Sequence, residues 1–266
     1  MRFEIFTTPS LSGVRLHCTH WGDPANAKKL VMLHGGGANS HWWDHLAPAL
    51  AERFHAIALD FRGHGDSDSP DQIIPGAFHL DLEALLSHLD APDAVLVGHS
   101  MGARIALDHA ANHGRTASIV AVDLARGGQH RTRRTMRLAL AARRTYRSRQ
   151  EAIDRYRFLP PAASADDALR VHIAACSVRE EPNGRFGFKF DPRWYTLPRS
   201  RNAPLEEVRC PVLLIRGGDS DLLTSEGARK VLEELPDGRL AEIPGAGHNV
   251  HLAAPAAVLE AMTGFL

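Results

Sequence analysis

The sequence predicts an α/β protein, a mostly parallel β-sheet covered by helices. Three observations carry that expectation. Short apolar runs of strand length alternate with helix-forming stretches over much of the chain, the pattern of strand–helix–strand units. Its 266 residues can bury one large core, and folds of this class and size run as one domain with insertions. The third is the pentapeptide Gly98-His99-Ser100-Met101-Gly102, set between an apolar run and a helix-forming stretch.

Lys29-Leu30-Val31-Met32-Leu33 reads as a short buried strand. It runs into His34-Gly35-Gly36-Gly37. Glycines of this kind let a backbone N–H approach an acyl oxygen that a side chain would crowd. A phosphate-binding loop is the rival reading, but no Gly-Lys-Ser/Thr and no G-x-G-x-x-G is present. The next segment carries Trp42 and Trp43, expected to pack beside this loop. His41 and His45 stand at i and i+4, a metal-ligand spacing. No H-E-x-x-H pattern or third ligand accompanies them, so they read as structural, and no metal and no cofactor is expected.

Ala94-Val95-Leu96-Val97 is the strand before the pentapeptide, and Ala103-Arg104-Ile105-Ala106-Leu107 the helix after it. In that order G-x-S-x-G presents a nucleophile. The flanking glycines let strand and helix close around a strained turn. Ser100 then stands at a helix N-terminus, where N–H groups and the dipole stabilise an anion. Ser118–Val122 is a further strand, ended by Asp123, and Pro211–Gly217 another, followed by Gly218-Asp219-Ser220-Asp221. Leu240–Pro244 leads through Gly245-Ala246-Gly247 to His248, and a final helix runs from about Ala253 to Leu266. A histidine so placed can act as base to Ser100 and then as acid to a leaving group.

These motifs resemble the α/β-hydrolase superfamily over nearly the whole chain. Asp60-Phe61-Arg62-Gly63-His64-Gly65-Asp66-Ser67 is similar to the loop after its fourth strand, and Pro211–Gly217 to its seventh. The resemblance implies the α/β-hydrolase fold with an eight-stranded sheet, a cap inserted after strand six, and a Ser–His–acid triad. Ser100 and His248 fill two of those roles, and the N–H groups of Gly36 and Met101 form the implied oxyanion hole. In most members the acid stands three residues after the glycine ending strand seven. Here that residue is Ser220, with Asp219 and Asp221 each one place out of register. The other known position is the end of strand six, where Asp123 stands. This is similar to a subgroup that includes an amidohydrolase of acetamidomethylene-succinate. Asp123 is the expected acid, Asp221 the first alternative and Asp219 the second.

Between Ala125 and Ala203 the strand–helix alternation stops. Residues 125–203 are expected to form a basic, mostly helical cap on a core of 1–124 and 204–266. Residues 126–203 hold 18 Lys and Arg against 7 Asp and Glu, leaving 13 against 24 for the rest. The neutral chain therefore joins a positive cap to a negative body. The densest run is Arg131, Arg133, Arg134, Arg137, Arg143, Arg144, Arg147 and Arg149. It reads first as a solvated helix face; the functional alternative is recruitment of an anionic substrate or carrier. No aromatics interleave with it, and no nucleic-acid module is visible, so nucleic acid is not an expected partner. The aromatic-rich stretch Gly184–Tyr195 fits a pocket wall or a small cap core equally.

Cys18, Cys176 and Cys210 show neither a disulfide framework nor zinc spacing. The N-terminus lacks a signal-peptide layout and no apolar run reaches membrane-spanning length. A soluble, cytoplasmic protein with a small-molecule substrate and no membrane partner is expected. The expected reaction is hydrolysis of a small carboxylic ester, lactone or amide through an acyl-enzyme. On the same fold the alternatives are a C–C bond hydrolase and a cofactor-free haloperoxidase or dioxygenase. A ligand receptor with a vestigial triad is the alternative outside enzymes. An epoxide hydrolase or haloalkane dehalogenase would need Asp at position 100.

Overall fold

The computed structural model describes residues 1–8, 13–126, 130–162, 164–197 and 204–266. The chain opens with β1 (Arg2–Thr7), β2 (Arg15–Trp21) and β3 (Lys29–Leu33), then a 3₁₀ turn (Ser40–Trp43) and the short helix α1 (Ala47–Leu50). β4 (His55–Leu59), α2 (Ala77–His88), β5 (Val95–His99), α3 (Met101–His113) and β6 (Ile119–Val122) follow. A segment of different character comes next. It holds α4 (His130–Ala141), β7 (Thr145–Tyr146), α5 (Arg149–Arg155), α6 (Asp167–Cys176), β8 (Val178–Glu180), β9 (Phe186–Phe188) and a 3₁₀ turn (Pro192–Tyr195). β10 (Val212–Gly217), α7 (Ser225–Glu234), β11 (Gly238–Ile243), α8 (Val250–Ala253) and α9 (Pro255–Phe265) complete the chain.

Eight strands form one sheet in the order β1-β2-β4-β3-β5-β6-β10-β11. The pairs from β4 to β11 are parallel, and β1 and β2 add an antiparallel edge. This is the mostly parallel, helix-covered sheet that the sequence predicts. The central strands are apolar without a break because helices bury both faces. Their alternation divides them between two layers. Val31, Leu33, Ile57, Leu59, Leu96, Ile119, Ala121, Val212 and Leu214 pack on one side with Ile105 of α3. Leu30, Met32, Val97, Val120, Val122, Leu213 and Ile215 pack on the other with Trp43, Val258 and Met262.

The segment after β6 has a core of its own. Ala152, Ile153, Tyr156, Phe158, Ile173, Ala174 and Val178 cluster with Ala38, Trp42 and Leu252 of the body. Its first half holds helices α4 and α5. It also holds an antiparallel sheet, β7-β9-β8, that the sequence did not announce; β7 lies between α4 and α5, and β8 and β9 follow α6. The C-terminal boundary expected for this segment falls within residues 198–203, outside the described residues. The segment is fastened to the loop after β4: Asp191 N–H donates to Gly63 O at 2.7 Å and Gly65 N–H to Lys189 O at 2.8 Å. Lys189 pairs with Asp66 at 2.7 Å, and Ser69 Oγ donates to Asp191 Oδ2 at 2.6 Å.

Arginines of the basic run are drawn into local contacts. Arg137 donates to the carbonyls of Tyr195, Thr196 and Leu197, Arg143 pairs with Glu181, and Arg149 donates to Ala175 O. The run thus ties the segment to itself at these points rather than forming a wholly solvated face.

Candidate active site

In parallel α/β sheets, ligands bind beyond the carboxyl ends of the strands. The sequence-predicted residues gather at that edge: His34 follows β3, Ser100 follows β5, Asp123 follows β6, and His248 lies beyond β11.

Ser100 stands at the joint of β5 and α3 with φ 51° and ψ −104°, outside the regions open to ordinary residues. Such strain costs about 1–3 kcal/mol and persists only where the surroundings over-determine it. Here two glycines do so. A Cβ on Gly98 would lie 2.4 Å from the Ala103 nitrogen, and one on Gly102 would lie 2.2 Å from Leu33 O. Ser100 N–H donates to Val122 O at 2.9 Å, which fixes the serine beside the end of β6. Ser100 is nearly buried.

Asp123 is fully buried and also holds a positive φ, 42°. Its Oδ1 accepts from His248 Nδ1 at 2.7 Å and from Ser220 Oγ at 2.6 Å. Its Oδ2 accepts from Gly217 N–H at 2.9 Å. These bonds supply what an ionised carboxylate needs in a dry interior. Ser220, at the place where most members of the superfamily carry the acid, is a donor to that carboxylate. Its Oγ also accepts from Leu222 N–H and Leu223 N–H at 3.3 and 3.2 Å. Asp219 and Asp221, the alternative acids, are exposed. His248 is buried, and its proton on Nδ1 leaves a lone pair on Nε2.

His99 packs its ring 4.7 Å from that of His248, and its Nε2 donates to the His248 carbonyl at 3.1 Å. Burial pushes His99 well below the ordinary histidine range, so it is a neutral spacer that holds the His248 backbone. His251 is fully buried, 4.3 Å from His99 and 5.1 Å from Trp43 between ring centroids. Among the described residues neither His251 ring nitrogen has a partner, and burial pushes it down as well.

The loop after β3 is pinned from below. His34 Nδ1 donates to Gly35 O at 2.7 Å, and Phe61 N–H donates to His34 Nε2 at 3.2 Å. Beneath it, buried Asp60 accepts from His17 Nδ1, Ser40 N–H and Asp66 N–H. Burial alone would raise the Asp60 carboxyl, but these bonds outweigh it and hold it at about 2. From above, Tyr195 covers the glycines, its Cε1 3.1 Å from where a Gly36 Cβ would be. Gly37 N–H donates to Tyr195 OH at 2.5 Å, and the hydroxyl lies 2.8 Å from His64 Nε2. His64 Nδ1 donates to Arg62 O, so Nε2 is the acceptor and Tyr195 the donor. Burial holds His64 down to about 3, which keeps it neutral. The aromatic-rich stretch thus contributes both: Phe188 packs against the segment's own core, and Tyr195 covers the loop. Met101, the first residue of α3, has an amide with no acceptor inside its helix.

Gly36, Gly37, Trp42, Leu140, Tyr156 and Phe190 border a cleft of about 850 Å³, its open mouth included. Arg143, Arg144, Arg155 and Arg157 stand on the same walls. Ser100 and His248 are not among its lining residues, so with Tyr195 in place the cleft stops at the glycine loop. His41 and His45 do not converge on one ligand. His45 Nε2 donates to His251 O at 2.8 Å, whereas His41 Nδ1 meets Asp44 Oδ2 at 2.9 Å. Sequence reasoning missed Tyr195 as a partner of the loop and Ser220 as a donor to Asp123. The aromatic run and the out-of-place serine were their only signals.

The alpha/beta hydrolase family model matches residues 30–261. A 2-(acetamidomethylene)succinate hydrolase from Mesorhizobium japonicum is 28% identical over 243 residues, 89% of this chain and 87% of its own. An sn-1-specific diacylglycerol lipase from Mus musculus is 26% identical over 263 residues, 91% of this chain and 82% of its own. The crystal structure of an E-2-(acetamidomethylene)succinate hydrolase superposes with a TM-score of 0.83 at 24% identity, covering 99% of both chains. Sheet order, loop chemistry and family match agree: the chain belongs to the alpha/beta hydrolase family.

Proposed function

We propose that the protein is a serine hydrolase that cleaves a small carboxylic ester, lactone or amide through an acyl-enzyme. The observation that carries this reading is the 2.7 Å bond from His248 Nδ1 to Asp123 at the sheet edge that presents strained Ser100. The Nδ1 proton directs the lone pair of His248 to Nε2, the form in which an imidazole takes a proton from a serine hydroxyl. Ser100 Oγ then attacks the carbonyl carbon, and the oxygen takes up the negative charge. Met101 N–H and Gly36 N–H are the donors for it; the Gly37 amide is already engaged by Tyr195. One such donor is worth about 10²–10³ in rate. Asp123 holds the imidazolium, which gives its proton to the leaving group. A water then repeats the sequence and releases the acid.

The substrate carries a carboxylate on the side away from the scissile bond. Four arginines stand on the cleft that meets the oxyanion loop. Arg143 is engaged by Glu181, and Arg157 by the carbonyls of Asp154 and Tyr156. Among the described residues Arg144 and Arg155 are the two on these walls left to meet an anion. The named substrate of the Mesorhizobium relative, a succinate derivative, is of this chemical type. A cytoplasmic setting suits such a substrate.

The test compares p-nitrophenyl acetate with the mono-p-nitrophenyl ester of succinic acid. Both should turn over and both should be lost in Ser100→Ala. Arg144→Ala and Arg155→Ala should raise KM for the succinate ester by roughly 10-fold or more and leave the neutral ester unchanged. Equal effects on both esters would remove the anionic substrate. No turnover of either by the wild type would favour a receptor.

A further inference from the structure

The seam between the inserted segment and the body holds a cluster that acyl transfer does not use. His41 belongs to the 3₁₀ turn after the glycine loop, and Asp44 is the C-cap of that turn. His172 and Cys176 stand four residues apart on α6, so they share one helix face. Asp44 Oδ2 meets His41 Nδ1 at 2.9 Å and His172 Nε2 at 2.6 Å. Asp44 Oδ1 is buried and has no partner among the described residues. The ligand atoms of His41, His172 and Cys176 all lie within 4.8 Å of one another. Beside them Asn39 Nδ2 donates to Ser177 Oγ at 2.9 Å, which already holds the two elements together.

We propose that His41, His172 and Cys176 form a zinc site that clasps the inserted segment to the body, with Asp44 as the carboxylate that supports both imidazoles.

The donor set decides the metal. Two imidazoles and one thiolate suit Zn²⁺, whereas Mg²⁺ and Ca²⁺ demand oxygen ligands. Three protein ligands leave the fourth tetrahedral position to water. Zinc bond lengths of about 2.0–2.3 Å put neighbouring ligand atoms roughly 3.3–3.7 Å apart. That spacing falls inside the 4.8 Å within which the three ligand atoms already lie. His172 is half exposed, which gives the ion an entry path. On binding, the Cys176 thiol and any protonated imidazole give their protons to solvent, so affinity falls as pH falls. Two other clusters, Glu83 with His109 and His113 and His17 with Asp60 and Asp66, offer no thiol. Asp60 in the latter is already satisfied by two amides and His17.

The sequence hid this site. The pairs 41 and 44, 172 and 176 lie on separate elements, and only the docking of α6 on the 3₁₀ turn unites them.

The experiment titrates metal-free full-length protein with Zn²⁺ against a chromophoric chelator and records Tm with and without zinc. Wild type, Cys176→Ser, His172→Ala and His113→Ala are compared. Wild type and His113→Ala should bind one zinc per chain at submicromolar Kd and gain in Tm. Loss of a supporting partner costs 10–100-fold in metal affinity, so loss of a ligand in Cys176→Ser or His172→Ala should cost more than about 100-fold. The Tm gain should vanish with it. Both variants should match the metal-free wild type in Tm, which separates lost ligation from misfolding. Co²⁺ should give a thiolate charge-transfer band in wild type that Cys176→Ser lacks. Undiminished zinc affinity in Cys176→Ser, loss of it in His113→Ala, or no tight zinc in wild type would overturn the proposal.

Discussion

Asp123→Asn separates the strand-six acid from its neighbours, and the structure predicts how it fails. Gly217 N–H, a fixed main-chain donor, points at Oδ2 at 2.9 Å. The amide oxygen of asparagine must take that place, which turns its NH₂ toward His248 Nδ1. His248 must then accept at Nδ1 and carry its proton on Nε2. That tautomer cannot take a proton from Ser100. A wrong tautomer in an otherwise intact triad costs about 10⁴ in kcat, equivalent to roughly 5.5 kcal/mol. The assay is kcat/KM on p-nitrophenyl acetate, with Tm as the folding control. Asp221→Asn, on an exposed side chain, should stay within about threefold of wild type. A loss below about tenfold in Asp123→Asn, or a large loss in Asp221→Asn alone, would refute this reasoning.

Acid should unfold the protein early. Burial holds His34, His99 and His251 below the ordinary range and His64 at about 3. The unfolded chain protonates these groups near pH 6.5 and the folded chain does not, so stability is full above that pH and falls below it. Each such histidine contributes about 1.4 kcal/mol per pH unit. Urea midpoints should drop steeply between about pH 6.5 and 4; a flat profile would contradict the burial. Tyr195→Phe leaves Gly37 N–H and His64 Nε2 without their partner. It should cost about 1–3 kcal/mol, read as a lower urea midpoint. Gly102→Ala drives a Cβ to 2.2 Å from Leu33 O. Backbone must move at the elbow, and loss of soluble folded protein or of nearly all esterase activity is expected; wild-type behaviour would show the elbow to be slack.

The sheet was legible because its central strands are buried on both faces, which leaves runs such as Leu30–Leu33 and Leu213–Ile215 no other reading. Ser100 was legible because Gly98 and Gly102 are required on steric grounds that the motif encodes. Asp123 was offered as the acid only by the resemblance, which places an acid after strand six in a subgroup, with Ser220 at the usual place; its partners at Gly217 and His248 are nearly a hundred residues or more away. The small sheet was not legible, since β7, β8 and β9 run two or three residues each, too short for periodicity to show. The use of Arg137 and Arg143 was equally hidden. Arginines that donate to carbonyls and to Glu181 look in sequence like a solvated charge run.

Intact-mass labelling with a fluorophosphonate tests the central claim most directly. Wild type should gain one adduct per chain, Ser100→Ala none, and Asp123→Asn should label far more slowly than wild type. An adduct of equal stoichiometry on Ser100→Ala, or a wild type that hydrolyses esters and never labels, would contradict Ser100 as the nucleophile.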